Sequence, residues 1–147
     1  MVLSKACSYG ILASLYLAKK NKGKEYISIR DISNDLDISF HFLTKILQTL
    51  TENGLVVSLR GPKGGVTLAK DVKETTLYDI IVAIDGPELF TECILGLPGC
   101  GHAKPCPMHD HWQAEREQLK ANFENKSLAD VSSKVEEFKL RLSMKDL

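Results

Sequence analysis

The sequence predicts a mainly α-helical fold with one small β-hairpin, arranged as a winged helix-turn-helix followed by a long helix. Three observations predict it. Apolar residues recur at steps of three and four through several capped segments, two β-rich runs flank a Gly/Pro turn, and a long apolar seam follows a Cys-rich loop. At 147 residues and 44 % hydrophobic content, the chain can fill one packed core and an assembly element.

From Ser4 to about Lys20, Ile11, Leu12, Leu15, Tyr16 and Ala18 keep helical spacing, and the polar run from Lys19 to Lys24 ends the segment. Ser28 with Asp31 resembles a capping box opening a short helix whose apolar face is Ile29, Ile32 and Leu36. After a turn at Asp37 to Ser39, Ser39 is placed to cap a further helix with Phe42, Leu43, Ile46, Leu47 and Leu50 inward, and Asn53-Gly54 stops it. Two short helices joined by a tight turn form a helix-turn-helix. Leu55 to Leu59, the turn Arg60-Gly61-Pro62-Lys63-Gly64-Gly65, and Val66 to Ala69 then form the hairpin. Thr76 with Asp79 caps a helix through Leu77, Ile80, Ile81 and Ile84, closed by Asp85-Gly86-Pro87. An irregular loop runs from Glu88 to Pro107. From about Met108 a helix carries Trp112, Arg116, Leu119 and Phe123 on one seam, and a last helix after Ser127 carries Val131, Val135, Phe138 and Leu142.

A formal net charge of zero conceals an asymmetry. Residues 1–73 hold 11 Lys and Arg against 6 Asp and Glu, whereas residues 74–147 hold 8 against 13. The first half therefore suits a polyanion. No window approaches the roughly 18 to 20 apolar residues of a membrane span, and the chain opens on an amphipathic helix rather than a signal peptide, so a cytoplasmic location is expected.

The second helix of the helix-turn-helix can lie in a major groove of DNA, with Ser39, Phe40, His41, Thr44, Lys45 and Gln48 off its core face and towards bases. At the hairpin tip, glycines let the backbone approach a phosphate, while Arg60 and Lys63 supply charge. A protein-docking module without nucleic acid is the alternative. It is disfavoured because the cations concentrate on the exposed helix face and the hairpin tip.

Cys93, Cys100 and Cys106 follow a Cys-x6-Cys-x5-Cys spacing, with His109 just beyond at the start of the next helix. Four soft or borderline ligands in one Gly/Pro-rich loop point to a metal or iron–sulfur site. Structural zinc remains open, although zinc sites usually pair cysteines two to four residues apart. Free or redox-active thiols also remain open. Cys7 stands apart as a core filler, and His102 and His111 read as solvated flanking groups. A third reading, an iron–sulfur electron carrier or enzyme, lacks support: no Gly-rich phosphate loop opens a helix, and no nucleophile elbow or paired-carboxylate pocket is visible.

Together, Tyr9-Gly10-Ile11-Leu12-Ala13, Ile38-Ser39-Phe40-His41-Phe42-Leu43, Asn53-Gly54-Leu55-Val56, the turn from Arg60 to Gly65 with Val66-Thr67-Leu68, and the three cysteines resemble the Rrf2 family of bacterial winged-helix transcription regulators, in its iron–sulfur branch. The resemblance implies a homodimer in which a helix near Asp110 to Asn125 crosses its partner, binding a roughly palindromic double-stranded operator. It also implies an iron–sulfur cluster on the three cysteines and a variable fourth group. In IscR-like members that group is a histidine three positions past the last cysteine, here His109, with Trp112 also matching. In NsrR-like members it is an acidic residue of the partner, and Ser8 stands at that position. This favours a 2Fe-2S cluster over 4Fe-4S. Six residues rather than five separate the first two cysteines, an insertion that a flexible loop absorbs cheaply. The expected organisation is a DNA-binding domain at 1–86, a cluster loop at 87–108 and dimerisation and C-terminal helices at 109–147.

Overall fold

The computed structural model describes residues 2–20, 25–137 and 139–143. Helix α1 (Lys5–Lys19) begins where the Ser4 side chain accepts a bond from the Cys7 N–H at 3.0 Å. The Ser4 N–H and hydroxyl both donate to the Asp85 carboxylate far along the chain. Helix α2 (Ile29–Leu36) starts with the Asp31 N–H donating to Ser28 Oγ at 3.1 Å. Helix α3 (Phe40–Glu52) buries Leu43, Ile46, Leu47 and Leu50 as expected. The expected Ser39 side-chain cap is not formed; its backbone carbonyl accepts from Leu43 instead.

Strands β1 (Val56–Leu59) and β2 (Gly65–Leu68) pair antiparallel, with Val56 opposite Leu68 and Leu59 opposite Gly65. Ile27 adds a third rung that the sequence did not announce, exchanging two 2.9 Å backbone bonds with Val66. Gly65 makes this possible: a Cβ there would lie 2.2 Å from the Ile27 carbonyl oxygen. The hairpin is thus tied to the entry of α2.

Helix α4 (Leu77–Asp85) carries the full capping box between Thr76 and Asp79. Inside the segment expected to be irregular lies a single helical turn, α5 (Glu88–Thr91). Four residues are too few to show a period, but Phe90 gives the turn a purpose, because it is buried against Tyr78 and Phe123. Helix α6 (His109–Glu124) follows the cysteine loop. Helix α7 (Leu128–Glu137) opens on a reciprocal cap between Ser127 and Asp130. It stops short of Leu142, which packs beside the core from outside the helix, and the expected Phe138 lies outside the described residues.

One core joins α1, α2, α3, the hairpin, α4 and the start of α7 around Leu17, Ile32, Leu43, Leu50, Val66 and Leu128. Helix α1 is its axis. A Cβ at Gly10 would lie 2.3 Å from Ile84 Cδ1, so glycine sets how closely α1 and α4 approach. A smaller cluster of Cys7, Ile81 and Phe90 receives Leu119 and Phe123 of α6. Part of the α6 seam, Leu119 and Phe123, is covered within the chain, because α5 brings Phe90 beneath it. Trp112, Leu119 and Phe123 stay half-buried. Among the described residues no helix is long and apolar enough to cross a membrane.

Candidate nucleic-acid interface and cysteine centre

With its apolar side committed to the core, α3 turns Ser39, His41, Lys45 and Gln48 outward as exposed residues, and Thr44 is half-buried between them. The Thr44 hydroxyl donates to the Phe40 carbonyl at 2.7 Å. Phe40 is half-buried, with the Arg30 guanidinium 4.4 Å from its ring centre on one side and the His41 ring edge-on at 5.6 Å. Arg60 and Lys63 are exposed at the hairpin tip. Thr44, Gln48 and Arg60 line one groove between α3 and the hairpin, closed at its base by Ile29, Leu47 and Val66. The structure thus brings the helix residues and the wing cation to one face.

The second constellation also converges. The Sγ atoms of Cys93, Cys100 and Cys106 lie within 4.8 Å of one another. Cys93 and Cys106 are 3.6 Å apart, and Cys100 Sγ is 3.5 Å from His109 Nδ1. His109 is only 7 % exposed, and its Nε2 is buried without a hydrogen-bond partner. The three thiols fit a metal or an iron–sulfur site, and His109 lies beside one of them, Cys100.

The loop supports this geometry locally. Gly96 donates its N–H to the Cys93 carbonyl at 3.0 Å, and His109 donates to the Cys106 carbonyl at 3.0 Å, so α6 starts directly out of the third cysteine. The Trp112 indole N–H and an Arg116 guanidinium N–H both donate to the Glu92 carbonyl, at 2.8 and 3.2 Å. One helix therefore supplies His109 and, one and two turns on, grips the peptide preceding Cys93. The sequence had placed Trp112 and Arg116 on a seam and matched Trp112 to the IscR-like pattern, without giving either a role at the loop. A half-buried indole N–H needing a partner was the available clue.

The thiols are electrostatically unequal. The Cys93 thiol is lowered to about 7, chiefly by the Leu97 backbone N–H, with Leu95, Cys106 and Cys100 adding to it against partial desolvation. Cys106 is raised, first by desolvation and then by its two sulfur neighbours. Cys7, fully buried, is pushed up to about 12 by burial and then by the Asp85 carboxylate, which suits a core filler. His102 and His111 are exposed, although the His102 ring meets His109 edge-on at 5.2 Å.

Residues 3–134 match the family model named Rrf2 and described as an iron-dependent transcriptional regulator. The chain belongs to the Rrf2 family. It is 32 % identical over 131 residues to the HTH-type transcriptional regulator IscR of Serratia proteamaculans, covering 89 % of this chain and 79 % of that one. An HTH-type transcriptional regulator of Aquifex aeolicus is 28 % identical over 133 residues, 89 % of this chain and 91 % of its own. Among solved structures, CymR of B. subtilis, described as the global cysteine regulator, superposes with a TM-score of 0.75 at 29 % identity, covering 89 % and 95 % of the two chains. T. potens IscR shares the fold, with a TM-score of 0.74 at 23 % identity and coverage of 95 % and 91 %. As an Rrf2 protein the chain is a winged-helix, DNA-binding transcription regulator and not an enzyme, and its three-cysteine group fits a metal or cluster site.

Proposed function

We propose that this Rrf2 protein is a cytoplasmic homodimer that adjusts its affinity for a roughly palindromic operator according to an iron–sulfur cluster held by Cys93, Cys100, Cys106 and His109. The observation that carries the reading is the convergence of the three thiols within 4.8 Å of one another, with His109 Nδ1 beside Cys100 Sγ at 3.5 Å. A neutral imidazole among thiolates raises a cluster's potential, and the likeness to IscR favours the 2Fe-2S type. When bound, such a cluster supplies one-electron redox chemistry and a lability towards oxidants.

The protein's own residues do the rest. Trp112 and Arg116 hold the peptide at Cys93, and His109 roots the site in α6. In DNA binding, Ser39, Phe40, His41, Thr44, Lys45 and Gln48 face the major groove, while Arg60 and Lys63 neutralise phosphates. The division into a DNA-binding domain at 1–86, a cluster loop at 87–108 and an assembly region at 109–147 follows from these roles. The half-buried seam of Trp112, Leu119 and Phe123 retains area for a partner copy beyond what α4 and α5 cover.

The test is anaerobic purification with iron and sulfide analysis and a visible spectrum, followed by selection of bound DNA. A coloured dimer with two irons per chain is expected. A colourless zinc protein, or a monomer at micromolar concentration, refutes the reading. Exchanging Arg60 and Lys63 for Ala is expected to make the logarithmic salt dependence of DNA binding shallower by about two units per protomer.

A further inference from the structure

The Arg30 guanidinium lies 4.4 Å from the centre of the Phe40 ring, at the point where α2 approaches the first residue of α3. Arg30 is exposed, and no motif in the sequence marks it. Its neighbour Ile29 lines the groove shared by Thr44, Gln48 and Arg60, and Ile27 is bonded to Val66 of the wing. The entry of α2 is therefore part of the face that carries the reading helix and the wing. Arg30 thus adds an exposed cation beside the first residue of α3 to those of Lys45 on the helix and of Arg60 and Lys63 on the wing.

We propose that Arg30 is a further DNA contact, binding a backbone phosphate beside the N-terminal end of α3, and that Phe40 acts as the platform that orients it. The proposal rests on the reading of the α3 and wing face as the DNA-binding face. Stacking uses the flat side of the guanidinium and leaves its edge N–H groups free to take two oxygens of one phosphate. A lysine would keep the charge and lose both the stack and the fork. The nearby carboxylates limit the site to a modest contact. Asp35 is engaged by the Tyr16 hydroxyl at 2.5 Å, whereas Asp31 is exposed one residue after Arg30 and opposes the approach of an anion. Phe40 thereby contributes through Arg30 rather than by reading a base.

The test is fluorescence anisotropy of the intact protein on a random-sequence duplex and on a selected operator, across a salt series. Arg30→Ala is expected to reduce the salt slope by about 0.9 per protomer on both duplexes, so that its affinity falls about threefold less per protomer than that of wild type between 50 and 200 mM salt. Arg30→Lys is expected to keep the slope and lose affinity. Phe40→Leu, which alters no charge, is expected to weaken binding in the wild-type background and by less than half as much on a logarithmic scale in the Arg30→Ala background. An unchanged slope in Arg30→Ala, or losses that multiply independently in the double variant, overturns the proposal. If replacing Arg60 and Lys63 shifts the slope while Arg30→Ala does not, only the role of Arg30 falls. If neither shifts it, the reading of this face falls too. Circular dichroism melts of each variant confirm that folded protein is being compared.

Discussion

Replacing Trp112 with Phe and Arg116 with Ala removes both donors from the Glu92 carbonyl and frees the peptide leading into Cys93. The indole bond is neutral and solvent-exposed, worth up to ~1 kcal/mol net. The guanidinium bond is charge-assisted, but its residue is partly exposed, and solvent screening brings it to about the same value. Together they hold the start of the loop by ~2 kcal/mol. If the closed loop is the state that retains a cluster, weakening it by that amount increases the open fraction by at most about 30-fold. The assay is the rate at which a chelator bleaches the visible absorption of anaerobically purified protein. The double variant is expected to bleach up to about 30-fold faster, and each single variant by about fivefold. Phe at 112 keeps most of the ring packing, so the fold and its helical signal are expected to persist. A bleaching rate within about twofold of wild type in the double variant would refute the argument, since two lost bonds of this kind cannot leave a loop equilibrium unmoved.

Cys100→Ala is expected to abolish visible iron–sulfur absorption while leaving a folded protein, and to change affinity for at least one class of selected operator; equal binding to every site by both forms would exclude the cluster as a switch for DNA binding. In cluster-free protein, alkylation by iodoacetamide near neutral pH is expected at Cys93 before Cys106 or Cys7. The lowered thiol is partly thiolate once the pH passes about 7, while the raised Cys106 and the buried Cys7 stay protonated. Peptide mass spectrometry across pH 6 to 9 reads the order, and simultaneous labelling would contradict it. Gly65→Ala drives a Cβ into the Ile27 carbonyl oxygen and is expected to cost about 1 to 3 kcal/mol and weaken DNA binding through the wing; a melt and a binding isotherm like wild type would show that the Ile27 rung is dispensable.

Most of the helices and the hairpin were legible because the signals that specify them are local. Leu43, Ile46, Leu47 and Leu50 repeat at helical steps, and the capping box of Thr76 and Asp79 lies within four residues. Legibility failed where the cause lies elsewhere in the chain. The α5 turn exists because Phe90 has Tyr78 and Phe123 to pack on, and neither is its sequence neighbour. Ile27 reads as a connector until Val66 is placed beside it. At the cysteine centre, spacing announced the three thiols and His109 because all four fall in one loop and the turn that follows. The grip of Trp112 and Arg116 was hidden because it closes on a backbone carbonyl, which carries no sequence signature, 20 and 24 residues away.

The same contacts show how the two sites share structure. Helix α6, which carries His109 and grips Glu92, packs on α4 and α5 through Leu119 and Phe123 against Ile81 and Phe90. Helix α4 in turn packs on both α1 and α3. At that junction Gly10 of α1 meets Ile84 of α4, whose Cδ1 would have to move to admit a Cβ, with Ile46 of α3 against the same spot. The Asp85 carboxylate at the end of α4 also receives the N–H and hydroxyl of Ser4, fixing the start of α1. A small rotation of α6 is therefore met first by α4, and α4 has little slack, because interiors at this density shift between arrangements more readily than they compress. The coupling that the proposed function requires is modest: about 1 to 3 kcal/mol between a bound cluster and the operator would span 5 to 150-fold in affinity. That is the scale of one or two of the hydrogen bonds that hold the cysteine loop to α6, so the grip on Glu92 is strong enough to carry a useful signal and weak enough to be reversed.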